Sequence, residues 1–459
     1  MFIDSHAHLD DEQFRTDLDA VIERAEAAGV ERIINPGTGL AATRRALEIA
    51  SRLGCVRAAA GISPHDVADH SQGDWEQFER LARSEPIVAI GETGLEYHYF
   101  ADPDHRRLQQ DAFRRQLDLA SELDLPVIIH CREAHAQMKA VLAEYAHRRR
   151  LRGVMHCFSG TIDDAAAYLG LGLLISFTGV ITFSNAHRVR ELVRQLPIDR
   201  MLIETDAPYM APQAVRGRRC EPAHVRAVAQ QLAELHGISL DDVARVTSTN
   251  ARRLFALPGA DDQPEIVYPI RHSLYVNLTN QCTNRCIFCP REVEPRVMGH
   301  WLGLREEPTA EQVIEAIGDP KRYDEIVFCG FGEPTLRLEV LKQIARAVKA
   351  AGGRVRINTN GQGSLANGRD IVPELVGLVD AVCVSLNTAD ASQYIALCCP
   401  QHGAEAHRGV VDFIRRAREL LPSIAVTALD YPGVDVDAVR KLADELRVEF
   451  RGRRYQRLG

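Results

Sequence analysis

Eight times in the first 206 residues, a short apolar run gives way to a longer amphipathic stretch. The runs are FIDSHAH, ERIINPG, VRAAAGI, IVAIGETG, PVIIHCR, RGVMHCF, LLISFTG and MLIETDA, and the intervening segments include DLDAVIERAEAAG and LQQDAFRRQLDLASEL. Strands that alternate with helices are parallel strands joined by crossovers, and eight such units predict a (β/α)8 barrel. SLDDVARVTSTNARRLFAL, with Ser239 as the helix N-cap, closes the unit.

PGADDQPE, after Leu257, is the strongest linker in the chain. Alternation then resumes through SLYVNLTN, EIVFCGFG, RVRINTNG, AVCVSLNT, IAVTALDY and RVEFRG. Six strands predict an incomplete, open (β/α)6 barrel. The expected organisation is therefore a barrel at residues 1–258, a linker at 259–266 and a second α/β domain at 267–459. A chain of 459 residues needs more than one domain in any case.

Net charge of -8 argues against a basic nucleic-acid coat. Arg148, Arg149 and Arg150, and Arg216 with Arg218 and Arg219, are local basic clusters that suit either a phosphate-facing patch or a solvated helix end. The opening MFIDSHAHLD lacks a basic stretch followed by an apolar one, and no apolar run is long enough to span a bilayer. Eleven cysteines without a paired framework read as reduced thiols, some serving metals. These features predict a cytoplasmic protein with no membrane association.

Barrel enzymes carry their chemistry at the C-terminal ends of strands. His6 and His8 end the first run, and strand period two turns both to one face. Glu92 follows IVAIG, His130 follows PVII, His156 follows RGVM and Asp206 follows MLIET. Mixed imidazole and carboxylate donors suit Zn, Mn or Mg, and the set suffices for two divalent ions with Glu92 as the bridge. Such a pair generates hydroxide near neutral pH and clamps an anionic transition state. Asp206 is placed to take the water's proton. Glu204 shares its face and suits water or third-metal binding as well as a supporting role behind the ligands. His65, in GISPHD, suits a substrate phosphate or a loop-capping hydrogen bond, and Arg132 has the fork geometry for a phosphate.

The segments IDSHAHLD, GISPH, IGETGLEY, LPVIIHCRE, HCFSG, ETDAP and STNARRLF resemble the TatD family of metal-dependent deoxyribonucleases, over Met1 to about Leu257. The resemblance implies a nuclease that releases nucleotides from DNA ends, with His6, His8, Glu92, His130, His156 and Asp206 as metal ligands. Two positions depart from the family pattern: Glu96 stands where Asp is usual, and Cys220 where Asn is usual.

QCTNRCIFCPRE spaces Cys282, Cys286 and Cys289 as C-x3-C-x2-C. Three thiolates hold three corners of a four-iron cube and leave one iron open to a small chelator. A zinc site borrowing His300 or Cys329 is the competing assignment. GFGEPT then ends a strand with Gly330, Gly332 and Glu333, the last able to receive an ammonium group. RINTNG and VSLNT offer Asn360, Ser385 and Asn387 to a ribose and a carboxylate.

From about Glu265 onward the chain resembles the radical S-adenosylmethionine enzymes, on the cysteine triplet with Phe288 and on GFGEPT, where Phe331 replaces a glycine. The resemblance implies a [4Fe-4S] cluster on Cys282, Cys286 and Cys289, and S-adenosylmethionine on the open iron. It also implies a 5′-deoxyadenosyl radical and an electron donor such as flavodoxin or ferredoxin. IAVTALDYPGVD does not carry the family's usual adenine-contacting element, and Cys329, Cys383, Cys398 and Cys399 lack the spacing for a second cluster. The whole chain thus reads as a bifunctional enzyme acting on DNA or nucleotide-derived substrates. The alternative is an amide or ester hydrolase, for instance on aminoacyl-tRNA, joined to a cluster- or zinc-containing nucleic-acid-binding module.

Overall fold

The computed structural model describes every residue except 147–150, 260–262, 293 and 455–459; Arg148, Arg149 and Arg150 therefore lie outside the described residues. Two compact units divide at Asp261/Asp262. Among the described residues, no helix is long and apolar enough to cross a membrane.

Each apolar run of the first unit contains a strand: β1 (Phe2–Asp4), β2 (Val30–Pro36), β3 (Val56–Ala59), β4 (Ile90–Glu96), β5 (Val127–Arg132), β6 (Gly153–Met155), β7 (Leu174–Phe177) and β8 (Met201–Ile203). All pair in parallel, in the orders β1-β2-β3 and β4-β5-β6-β7-β8. Single bridges, Ala60 to Ile90 and Ala7 to Ala207, stand where the two sheets adjoin. Parallel strands are covered on both faces, which is why the runs are nearly all apolar. One buried layer (Ile3, Ile34, Ala59, Ile128, Val154 and Leu202) packs on Leu254 and Phe255 at the end of the helix Leu240–Leu254. Ser239 caps that helix reciprocally with Asp242, satisfying two otherwise orphaned amides.

A close backbone approach lies beside the strand ends that carry the site. Gly94 of β4 sits opposite His130 with φ 144°, and a Cβ there would meet the His130 carbonyl oxygen at 2.0 Å. Gly94→Ala is expected to cost about 3 kcal/mol from strain and overlap together. Thermal unfolding of the first unit measures it.

In the second unit, β10 (Ser273–Val276), β13 (Ile326–Phe328), β14 (Val355–Thr359), β15 (Ala381–Ser385), β16 (Ile424–Asp430) and β17 (Glu449–Arg454) form the six expected parallel strands. A seventh strand, β9 (Val267–Ile270), was not expected; it pairs antiparallel with β10 at the sheet edge, giving the order β17-β16-β15-β14-β13-β10-β9. Pro269 explains the omission, because a proline inside an apolar run lacks a ladder donor and fits only an edge. A small hairpin, β11 (Arg296–Val297) with β12 (His300–Trp301), follows the cysteine loop. Along β14 burial alternates: Val355, Ile357 and Thr359 are buried, while Arg356 and Asn358 are half-buried.

Candidate metal and cofactor sites

Glu92, the third residue of β4, organises the first site. Its Oε2 lies 3.4 Å from His6 Nε2 and 3.5 Å from His8 Nε2, while its Oε1 lies 2.9 Å from His130 Nδ1 and 3.4 Å from His156 Nε2. Asp206 Oδ1 joins the first pair, 3.6 Å from His6 Nε2 and 3.5 Å from His8 Nε2. All six residues expected as ligands therefore meet around one carboxylate. Asp206 is held at φ 54°, a left-handed conformation that Asp tolerates better than most side chains, with its amide donating to the His6 carbonyl.

Imidazole nitrogens face each other across this site, His6 and His8 at 3.1 Å and His130 and His156 at 3.2 Å. Ligand atoms of His6, His8 and Glu92, of His6, His156 and Asp206, and of Glu92, His130 and His156 each converge within 4.8 Å. Electrostatics match. Burial alone would raise the Glu92 carboxyl, but the His156 charge and hydrogen bonds from His130, His156 and His6 hold it well below the usual range. Burial likewise opposes charging His156, and Glu92 and Glu204 overcome it, pushing that imidazole well up.

The remaining candidates take distinct places. Glu204 stands behind the ligands: it is fully buried, its Oε1 accepts from the Cys157 amide at 2.6 Å and lies 3.7 Å from His156 Nδ1, and its Oε2 accepts from Ser5 Oγ. His65 is 3.6 Å from Glu96 Oε2 and partly open to solvent. Arg132 stacks 5.0 Å over the Tyr99 ring and donates to its hydroxyl. Cys220 is buried with its thiol against the Thr205 carbonyl, away from solvent. Arg219 is spent on Asp17 and Glu221, and Arg216 on the Phe183 ring.

Glu96, a departure from the family pattern in the sequence, contacts the site directly. Its Oε2 lies 3.1 Å from His130 Nε2, the ring nitrogen facing away from Glu92, and its Oε1 accepts from the amides of His98 and Tyr99. A carboxylate on the far nitrogen fixes the tautomer and raises the basicity of a ligating histidine. The spacing was the available signal, since residues 92 and 96 share a face on one strand. Glu96→Gln is expected to weaken divalent-ion affinity at the His130 position roughly 10-fold or more without unfolding the domain; calorimetric metal titration measures it.

In the second unit, Cys282, Cys286, Cys289, Gly330, Gly332, Glu333, Asn360, Ser385 and Asn387 all line one cavity of about 550 Å³. The cysteine loop is pinned to the chain around Cys398. Amides of Arg285 and Ile287 donate to the carbonyls of Cys398 and Leu397, and the Gln401 amide donates to Thr283. Cys286 and Cys398 share a thiol hydrogen bond. Burial pushes the Cys282 thiol up to about 11.

Several side chains in this cavity do local work. The Asn360 amide donates to Thr283 Oγ1 at 2.7 Å and to Cys282 Sγ at 3.6 Å, tying β14 to the cysteine loop. The Glu333 carboxylate accepts from Thr335 N, Thr335 Oγ1, Thr359 Oγ1 and Asn360 N. A Cβ on Gly332 would strike the Thr279 carbonyl at 2.0 Å, so only glycine lets this loop lie on the end of β10. Asn387 Oδ1, by contrast, is a buried acceptor without a partner among the described residues. His300 has both nitrogens engaged, facing Glu265 Oε2 at 2.8 Å and the Pro269 carbonyl at 2.9 Å. Cys399 is exposed, whereas Cys329 and Cys383 line the cavity.

The family of TatD related DNases matches residues 3–256, and the radical SAM superfamily matches residues 276–446. An uncharacterized metal-dependent hydrolase of Bacillus subtilis, YabD, is 41% identical over 257 residues, which is 56% of this chain and 100% of that protein. The 3′-5′ ssDNA/RNA exonuclease TatD of Erwinia tasmaniensis is 39% identical over 261 residues, 55% of this chain and 99% of its own. The crystal structure of the TatD homologue YJJV from Escherichia coli K12 superposes with a TM-score of 0.53 at 35% identity, covering 56% of this chain and 98% of that one. The second domain falls outside the stretch these relatives match. This chain is an enzyme that belongs to the TatD-related DNase family through its N-terminal metal-dependent hydrolase barrel, and it carries a radical SAM domain behind that barrel.

Proposed function

We propose that the first domain is a two-ion phosphodiesterase that trims single-stranded nucleic acid from an end. The observation that carries this is Glu92, whose two oxygens serve two separate imidazole sets. Two divalent ions fit the residues present, because imidazole and carboxylate donors converge in sets around each Glu92 oxygen, with paired nitrogens 3.1 and 3.2 Å apart. Mg, Mn or Zn held there would bring water's pKa toward neutrality and offset phosphate charge. Asp206 holds the proton taken from that water, Glu96 and Glu204 orient His130 and His156, and His65 and Arg132 meet the substrate phosphate. In this reading the eight strands close into one barrel, supported by the two bridges, and the second domain's six parallel strands form an open barrel. Tyr99 and Tyr209 are more than half exposed beside His65 and His8 and give bases stacking surfaces. The matching exonuclease from Erwinia acts on DNA and RNA single strands by its name.

For the second domain we propose a [4Fe-4S] cluster on Cys282, Cys286 and Cys289, with S-adenosylmethionine bound beside it. Among the described residues, ligand groups gathered within 4.8 Å occur only in the first domain. The unpartnered Asn387 oxygen fits a donor of S-adenosylmethionine, alongside Ser385, Gly330, Gly332 and Glu333. Bound and reduced, this pair supplies a carbon-centred radical that abstracts hydrogen. The protein's part is to position and to exclude water. The electron comes from a flavodoxin or ferredoxin, and the reduced thiols fit the cytoplasm.

The anaerobically purified chain should shorten 5′-labelled single-stranded DNA with Mg or Mn and leave amide, ester and aminoacyl-tRNA substrates intact. With dithionite it should form 5′-deoxyadenosine. Amide or ester cleavage without DNA shortening would overturn the first assignment, and a colourless zinc protein the second.

A further inference from the structure

One face of the second sheet is built unlike the interior of an ordinary parallel sheet. Residues lining the cavity from β14 to β17 are Arg356 and Asn358, Cys383 and Ser385, Thr427 and Leu429, and Arg451 and Arg453. A smaller cavity of about 240 Å³ shares Arg356, Cys383 and Arg451 and adds Arg354. Such positions in parallel sheets are normally Val, Ile or Leu. Arg356 is half-buried, while Arg451 and Arg453 line the cavity from solvent-exposed positions, open to an incoming anion.

The acids present answer two of the three guanidiniums. Arg356 Nε donates to Glu325 Oε1 at 2.9 Å and its Nη1 donates to Asn358 Oδ1 at 2.5 Å. Arg451 pairs with Glu449 through two hydrogen bonds, at 2.7 and 2.8 Å. Arg453 is joined to no carboxylate among the described residues. Glu333, also in the cavity, accepts three hydrogen bonds at Oε1 and one at Oε2 from its own chain. Cys383 registers the convergence: burial pushes its thiol up, and Arg356, Arg451 and Arg453 each pull it back against Glu449.

We propose that Arg356, Arg451 and Arg453 bind a phosphate or carboxylate of the radical domain's substrate, which is therefore an anionic small molecule. This rests on the radical reading given above. Planar, always-charged guanidiniums are the side chains that recognise such groups by two parallel hydrogen bonds. The cofactor's own carboxylate is a poor match for them. The cysteine loop follows β10, and β17 lies five places away in the sheet order.

Hydrogen exchange with peptide-level mass spectrometry tests this on the full chain, cluster-free and anaerobically reconstituted. Phosphate and acetate are the probes, with or without S-adenosylmethionine. Peptides covering β15 and β17 should exchange about tenfold more slowly at an anion concentration ten times its Kd. Protection by phosphate alone identifies a phosphate site; protection by acetate alone identifies a carboxylate site. The double variant Arg451→Gln, Arg453→Gln should abolish it while iron uptake and cofactor protection of the cysteine loop persist. No protection by either anion, protection that survives the double variant, or loss of cofactor binding in it would overturn the proposal. Arginine-dependent protection in a chain that takes up no iron would support the anion site and sink the radical reading alone.

Discussion

Asp206→Asn is expected to lower kcat for nucleic-acid hydrolysis roughly 10²–10⁴-fold, the usual contribution of a positioned proton acceptor. The Asp206 carboxylate is buried with its Oδ1 within 3.6 Å of both His6 and His8. Burial would favour its neutral form, but hydrogen bonding to His8 and the charges of His6, His156 and His8 pull it below the usual range. Asparagine keeps the volume and tolerates the left-handed backbone at φ 54°, so folding should be preserved. The amide can neither accept the proton nor hold a cation by charge. Ion occupancy should fall on the His6 and His8 side, leaving the Glu92, His130 and His156 side filled. Single-turnover kinetics with elemental analysis measure both. The second domain's iron and its S-adenosylmethionine cleavage should not change, and joint loss of both activities in a folded variant would show that the sites are not independent.

Cys286→Ala should remove the cluster and with it all formation of 5′-deoxyadenosine. Iron should drop from about four per chain to under about one, while single-stranded DNA shortening stays at the parent rate. Alanine at 286 leaves the amide pairing of Arg285 and Ile287 with Cys398 and Leu397 in place, so the loop keeps its path. Cys398→Ala is the control. It removes the thiol that hydrogen-bonds Cys286 without removing a motif cysteine, and it should retain iron. Iron lost equally in both variants would make Cys398 a ligand and contradict the three-thiolate assignment.

The eight strands of the first domain could be read from the chain because strands buried on both faces are apolar throughout, and the ligands because each stands where such a run ends. Roles set by distant contacts were beyond that reading. Glu204 points at the Cys157 amide and Asn360 at Thr283, partners 47 and 77 residues away. Spacing shows that these side chains are near a site but not what they touch. Asn360, read as a ribose or carboxylate contact, also ties the cysteine loop to β14, and Glu204, read as suiting water, a third metal or a supporting role, stands behind His156. β9 escaped because Pro269 breaks the pattern of a ladder-forming strand. Glu96 was visible as an unusual residue, but its hydrogen bond to His130 depends on β4 pairing in register with β5.

Elemental analysis of the anaerobically purified full chain tests the central claim most directly. Two resident metal centres of different kinds predict about four iron atoms with matching sulfide, together with about two further divalent ions. One zinc per chain and no iron or sulfide would contradict it.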